Sequence, residues 1–84
     1  MERVKDLIVK FCNKESDKYE VYEKECFGII VKSGFMYMEM LCGLTEFLDK
    51  EDLNGEELEF SEGMVIEEMG QDVVVYFPRM YYIL

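Results

Sequence analysis

Cys26-Phe27-Gly28-Ile29-Ile30-Val31-Lys32-Ser33-Gly34-Phe35-Met36-Tyr37-Met38-Glu39-Met40-Leu41 is the stretch on which the fold turns. Its first half is rich in β-branched residues with a glycine inside. Ser33-Gly34 then separates it from a second apolar run, the pattern of a β-hairpin. The competing reading starts earlier. Tyr19, Tyr22, Cys26, Ile29 and Ile30 would share one face of a helix that Ser16 could cap. The hairpin is the preferred reading. The helix would instead give three helices followed by a C-terminal hairpin, a winged-helix-like arrangement.

Upstream, Val4, Leu7, Ile8, Phe11 and Cys12 recur at i, i+3, i+4, i+7 and i+8, one apolar stripe of a helix over about residues 2 to 13. Polar residues 13 to 17 read as a loop. Downstream, Thr45 reads as an N-cap, Leu44, Phe47 and Leu48 as an apolar stripe, and Asn54-Gly55 as a left-handed stop. A short second helix is expected over 45 to 53. Strands are expected at 57 to 60, 64 to 69 and 72 to 77, with Gly70-Gln71 as a two-residue turn. Val73, Val75 and Phe77 face one way and Val74 and Tyr76 the other. Such a strand belongs inside a sheet, and Pro78 ends it. The expected fold is a single α+β domain over residues 1 to 84: an antiparallel sheet of four or five strands in two hairpins, with an N-terminal helix and a short middle helix packed on it.

Charge is distributed unevenly. Between Glu46 and Asp72 stand eleven carboxylates and one cation, Lys50, a net charge of −10 that equals that of the whole chain. Residues 1 to 42 are nearly balanced, with eight acids and seven bases. With half of its residues hydrophobic and twelve aromatics, the chain is expected to fold throughout. Its 84 residues suffice for one modest core. The longest apolar run, about six residues at Val73 to Pro78, is far short of the ~20 of a spanning helix, and the first residues do not read as a signal peptide. Cys12, Cys26 and Cys42, odd in number and without a Cys-x-x-Cys pair, read as free thiols of a reducing cytoplasm. Cys12, on the first helix stripe, should be buried.

No catalytic motif accompanies these features. The chain has no His, hence no imidazole base or ligand. Aligning Gly55 with the sixth position of a calcium loop puts Lys50 first and Ser61 twelfth, where acids are required, so no metal site is expected. Of the carboxylates, Glu39, flanked by Met38 and Met40, reads as the candidate for desolvation, and a solvated position is its ordinary alternative. The sequence reads as that of a non-enzyme without cofactor. A small enzyme built on Glu39 or Cys26 would need a pocket that so short a chain seldom walls.

Direct nucleic-acid binding is disfavoured, because residues 43 to 84 offer phosphates only Lys50 and Arg79. The reverse role suits the chain: Glu46, Asp49, Glu51, Asp52, Glu56, Glu57, Glu59, Glu62, Glu67 and Glu68 are candidates to occupy a basic groove of a nucleic-acid-binding protein partner. In size and charge alone the chain resembles small inhibitors of phages and mobile elements, such as anti-CRISPR proteins and DNA mimics. It resembles antitoxin and immunity proteins in the same loose sense, and an Ala-free, Lys-, Glu-, Tyr-, Ile-rich composition fits the AT-rich genes of such elements. A different class, a self-associating subunit, would use Met36, Met38 and Met40 on one strand face together with the apolar tail Met80-Tyr81-Tyr82-Ile83-Leu84.

Overall fold

A computed structural model describes residues 2–51 and 60–82 of the chain. Its elements are α1 (Glu2–Lys14), β1 (Tyr19–Glu23), β2 (Phe27–Val31), α2 (Tyr37–Asp49), β3 (Val65–Met69), β4 (Asp72–Tyr76) and the short α3 (Arg79–Tyr82). The strands form one antiparallel sheet in the order β1-β2-β4-β3, made of two hairpins, β1-β2 and β3-β4, joined along β2 and β4. This is the α+β fold expected from the sequence, and the winged-helix-like alternative falls with the β1-β2 hairpin.

α1 forms as its stripe requires. Val4, Leu7, Ile8, Phe11 and Cys12 are all buried, and each fully buried large aliphatic or aromatic side chain contributes about 1.5–3 kcal/mol. Phe11 stacks on Tyr19 with ring centroids 5.5 Å apart and meets Phe47 at 5.8 Å. One helix side chain thereby joins β1 to α2.

The deciding stretch corrects one expectation. Phe27–Val31 is a strand, but its hairpin partner is Tyr19–Glu23, not residues 35 to 41. Ser33-Gly34 does mark a turn: Gly34 has φ 95° and Phe35 N–H donates to Lys32 O at 3.1 Å. That turn feeds a helix. Tyr37, Met40, Leu41, Leu44 and Leu48 recur at helical spacing, residues 35 to 42 contain no β-branched residue, and Met, Glu and Leu are good helix formers. α2 therefore starts eight residues before the expected 45. Thr45 is not its cap but lies inside it, Oγ1 donating to Leu41 O at 2.8 Å. The methionine row dissolves too: Met40 is fully buried, while Met36 and Met38 are 58% and 55% exposed.

The core lies between the helices and one face of the sheet. Ile29, Val75 and Phe77 are fully buried against Met40, Leu44, Leu48, Met80 and the α1 stripe. Phe77 also meets Phe60 edge-on at 5.2 Å. β4 is internal, as its apolar character on both faces requires. The expected strand 57 to 60 and the stop at Asn54-Gly55 lie outside the described residues, except Phe60, which starts a tight turn. Of the C-terminal tail, Met80 is buried in the core.

Candidate protein-binding surface

Alternation along the strands sets Glu20, Ile30, Val74 and Glu67 in one row on the sheet face away from the core, and Tyr22, Gly28, Tyr76 and Val65 in the next. The first row is apolar at its centre with one carboxylate on each edge strand. In the second, Tyr22 and Tyr76 meet edge-on at 5.4 Å across Gly28. Desolvation raises the Tyr76 hydroxyl pKa, with smaller upward contributions from Tyr22 and Glu67. An aliphatic cation fits such a face, its stem on Ile30 or Tyr76 and its charge on Glu67 or Glu20.

β3 is the barest element. All five of its residues are exposed, and among the described residues no strand pairs with its outer edge. Val65, Ile66 and Met69 are exposed apolar residues around Glu67 and Glu68, whose side chains point to opposite faces.

The candidate acids are spread over several surfaces. Glu46 lines a cleft with Phe11, Lys14, Glu15, Phe47 and Lys50, where cations partly offset it. Asp49, three residues further along α2, borders a separate groove with Leu41, Thr45, Leu48, Phe60 and Met64. Glu51 is exposed, and its backbone carbonyl accepts Arg3 Nη2–H at 2.8 Å. Glu62 pairs with Arg79 at 2.7 Å, so of the two cations in the second half one is already engaged. Glu67 and Glu68 stand together on β3. Asp52, Glu56, Glu57 and Glu59 lie outside the described residues. Sequence reasoning missed Glu20, which the balanced first half conceals, and missed that Val65–Met69 is an edge.

Glu39 is exposed in the first turn of α2, beside the positive end of the helix. Cys26 is half-buried, its thiol donating weakly to Phe27 O at 3.6 Å. Among the described residues no three His, Cys, Asp or Glu side chains are placed to hold a metal ion, and no helix is long and apolar enough to cross a membrane. No family model, curated protein or solved structure matches the chain.

Proposed function

We propose that this chain is a small acidic binding protein, not an enzyme, that engages a basic surface of a protein partner and blocks it, most naturally a groove that otherwise holds nucleic-acid phosphates. The charge distribution carries this reading: residues 46 to 72 hold the whole net charge of the protein, and no ion pair joins Glu67, Glu68, Glu46 or Asp49 to a cation among the described residues. Such a field accelerates encounter with a cationic partner and excludes nucleic acid itself. A phage or mobile-element inhibitor, or an antitoxin or immunity protein, is the biological role of this form.

The test is a pull-down from the native host at low and high salt, with wild type and an E46K/D49K/E67K/E68K variant. Wild type should capture a basic protein at low salt and release it at high salt, and the folded variant should capture none. Equal capture by the variant would reject the reading.

One observation favours a second reading. Phe35, Met36 and Met38 are exposed together at the start of α2, an apolar patch suited to self-association. Light scattering after size exclusion separates the two: a dimer that persists at high salt and is lost in M36S/M38S would favour the patch.

A further inference from the structure

The backbone of β3 fixes which hydrogen-bonding groups it turns outward. Phe77 N–H donates to Phe27 O at 2.7 Å, toward β2. Donors alternate in direction along a strand, so Val73 and Val75 also turn toward β2, and Asp72, Val74 and Tyr76 turn toward β3. Their partners Met69, Glu67 and Val65 are thereby committed to β4. Ile66 and Glu68 direct their N–H and C=O groups away from the sheet. A second feature marks the same edge. Ile66 lies on the core-facing side, in register with Val75, yet is 39% exposed where Val75 is fully buried. Among the described residues no strand continues that side of the sheet beyond Ile66.

We infer that β3 receives an extended partner segment as a fifth, antiparallel strand, and that this segment carries two adjacent basic residues, opposite Glu68 and Glu67, flanked by apolar residues opposite Met69 and Ile66. Main-chain hydrogen bonds to Ile66 and Glu68 supply affinity, and the carboxylates, one on each face, select the sequence. The inference rests on the basic-partner reading above and gives its mode of contact.

A second copy of this chain is a poor occupant. With the outward groups on Ile66 and Glu68, a two-fold axis centred on Glu67 or Glu68 sets identical carboxylates directly opposite each other. An axis at Ile66 sets Glu67 and Glu68 against Val65 and Met64, leaving both charges unmatched. Each copy also brings a net charge of −10. Edge charges of this kind guard against self-pairing while leaving the edge open to a cationic strand.

The probe is a synthetic peptide with the core Val-Lys-Lys-Val-Val, capped at both ends. It is compared with the same peptide N-methylated at the first Lys and the second Val, the residues whose N–H groups would face β3. The plain peptide should bind at low salt and slow amide exchange at Ile66 and Glu68, which should be fast in the free protein. Exchange at Glu67 should be slow in both states. N-methylation, or Ile66→Pro in the protein, should weaken binding at least about tenfold. The Pro is tolerated because that N–H is not in the ladder. Equal binding of both peptides overturns strand addition and leaves the basic-partner reading standing. So does no binding of either peptide by a protein that still captures a basic partner in the pull-down. Slow exchange at Ile66 and Glu68 in the free protein overturns it also, since the edge would then be occupied within the chain. Failure of both the peptides and the pull-down removes the two proposals together.

Discussion

Asp72 Oδ1 accepts the backbone N–H of Ser33 at 2.8 Å, tying the β3-β4 turn to the loop that leads into α2. One of the eleven acids of the charged half is thus a structural group. The bond is exposed, so its contribution should stay near 1 kcal/mol, in the ordinary range for a single hydrogen bond. Asp72→Ala should lower the unfolding free energy by about that amount and speed amide exchange at Ser33. Asp72→Asn, which keeps an acceptor, should lose less. Urea midpoints with exchange at Ser33 check both; an unchanged Ser33 rate in the Ala variant would show that the tie does not hold in solution.

Two glycines should respond in opposite directions to the same substitution. A Cβ on Gly28 would lie 2.4 Å from Val75 O and 3.2 Å from Tyr76 Cα, backbone atoms that cannot swing aside. Gly28→Ala should therefore force β2 from β4 and cost roughly 2 kcal/mol or more. Gly43 lies inside α2, and its Cβ would meet nothing nearer than the Phe11 ring at 3.5 Å, an ordinary contact. Gly43→Ala should stabilise the protein by about 0.5–1 kcal/mol through helix propensity and unfolded-state entropy. Midpoints shifted the same way in both variants would contradict this pairing.

α1 is legible because it carries a single helical period, and β4 because a short apolar run stands between two turn signals. Five apolar residues at helical spacing admit no strand, and Val73 to Phe77 between a Gly-Gln turn and Pro78 admit little but an internal strand. Residues 35 to 41 were not legible because Met36, Met38 and Met40 alternate while Tyr37, Met40, Leu41 and Leu44 also keep helical spacing. Only packing against the core, which takes Met40 and rejects Met36 and Met38, separates the two patterns. β1 escaped notice because Tyr19-Glu20-Val21-Tyr22-Glu23 is short and charged. For the candidate surface, the count of acids was readable but their division was not. Whether Glu46 faces Lys14 and Glu62 meets Arg79 depends on how α2 and the 60–64 turn are placed. The outward amides of β3 depend on strand order, which no local pattern records.

Val75 is fully buried between β2 and β3 with its side chain in the core. Val75→Asp would set an unpaired carboxylate there, at a cost of several kcal/mol. A domain of this size holds only roughly 5–10 kcal/mol in all, so the variant should be largely unfolded without denaturant. Glu46→Ala, at an exposed α2 position, is the control and should shift the midpoint by no more than about 0.5 kcal/mol. Comparable midpoints would remove β4 from the core.

Cys12 gives stability a pH dependence of known sign. Burial on the α1 stripe pushes its thiol from the ordinary 9.0 up to about 12, whereas the unfolded chain titrates near the ordinary value. Between those two pH values the folded thiol keeps its proton and the unfolded thiol loses it, so rising pH favours unfolding. The contribution is intact below pH 9 and is lost as pH climbs toward 12, at up to about 1.4 kcal/mol per unit. Cys12→Val removes the titrating group and keeps an apolar side chain, so its stability should fall less steeply than that of wild type above pH 9. Lysine and tyrosine titrations are common to both proteins and cancel in the difference. The same burial should make Cys12 slow toward a thiol reagent at neutral pH while exposed Cys42 reacts at once. Parallel pH profiles for wild type and Cys12→Val, or prompt labelling of Cys12 in the folded protein, would show that the stripe of α1 is not packed as the structure has it.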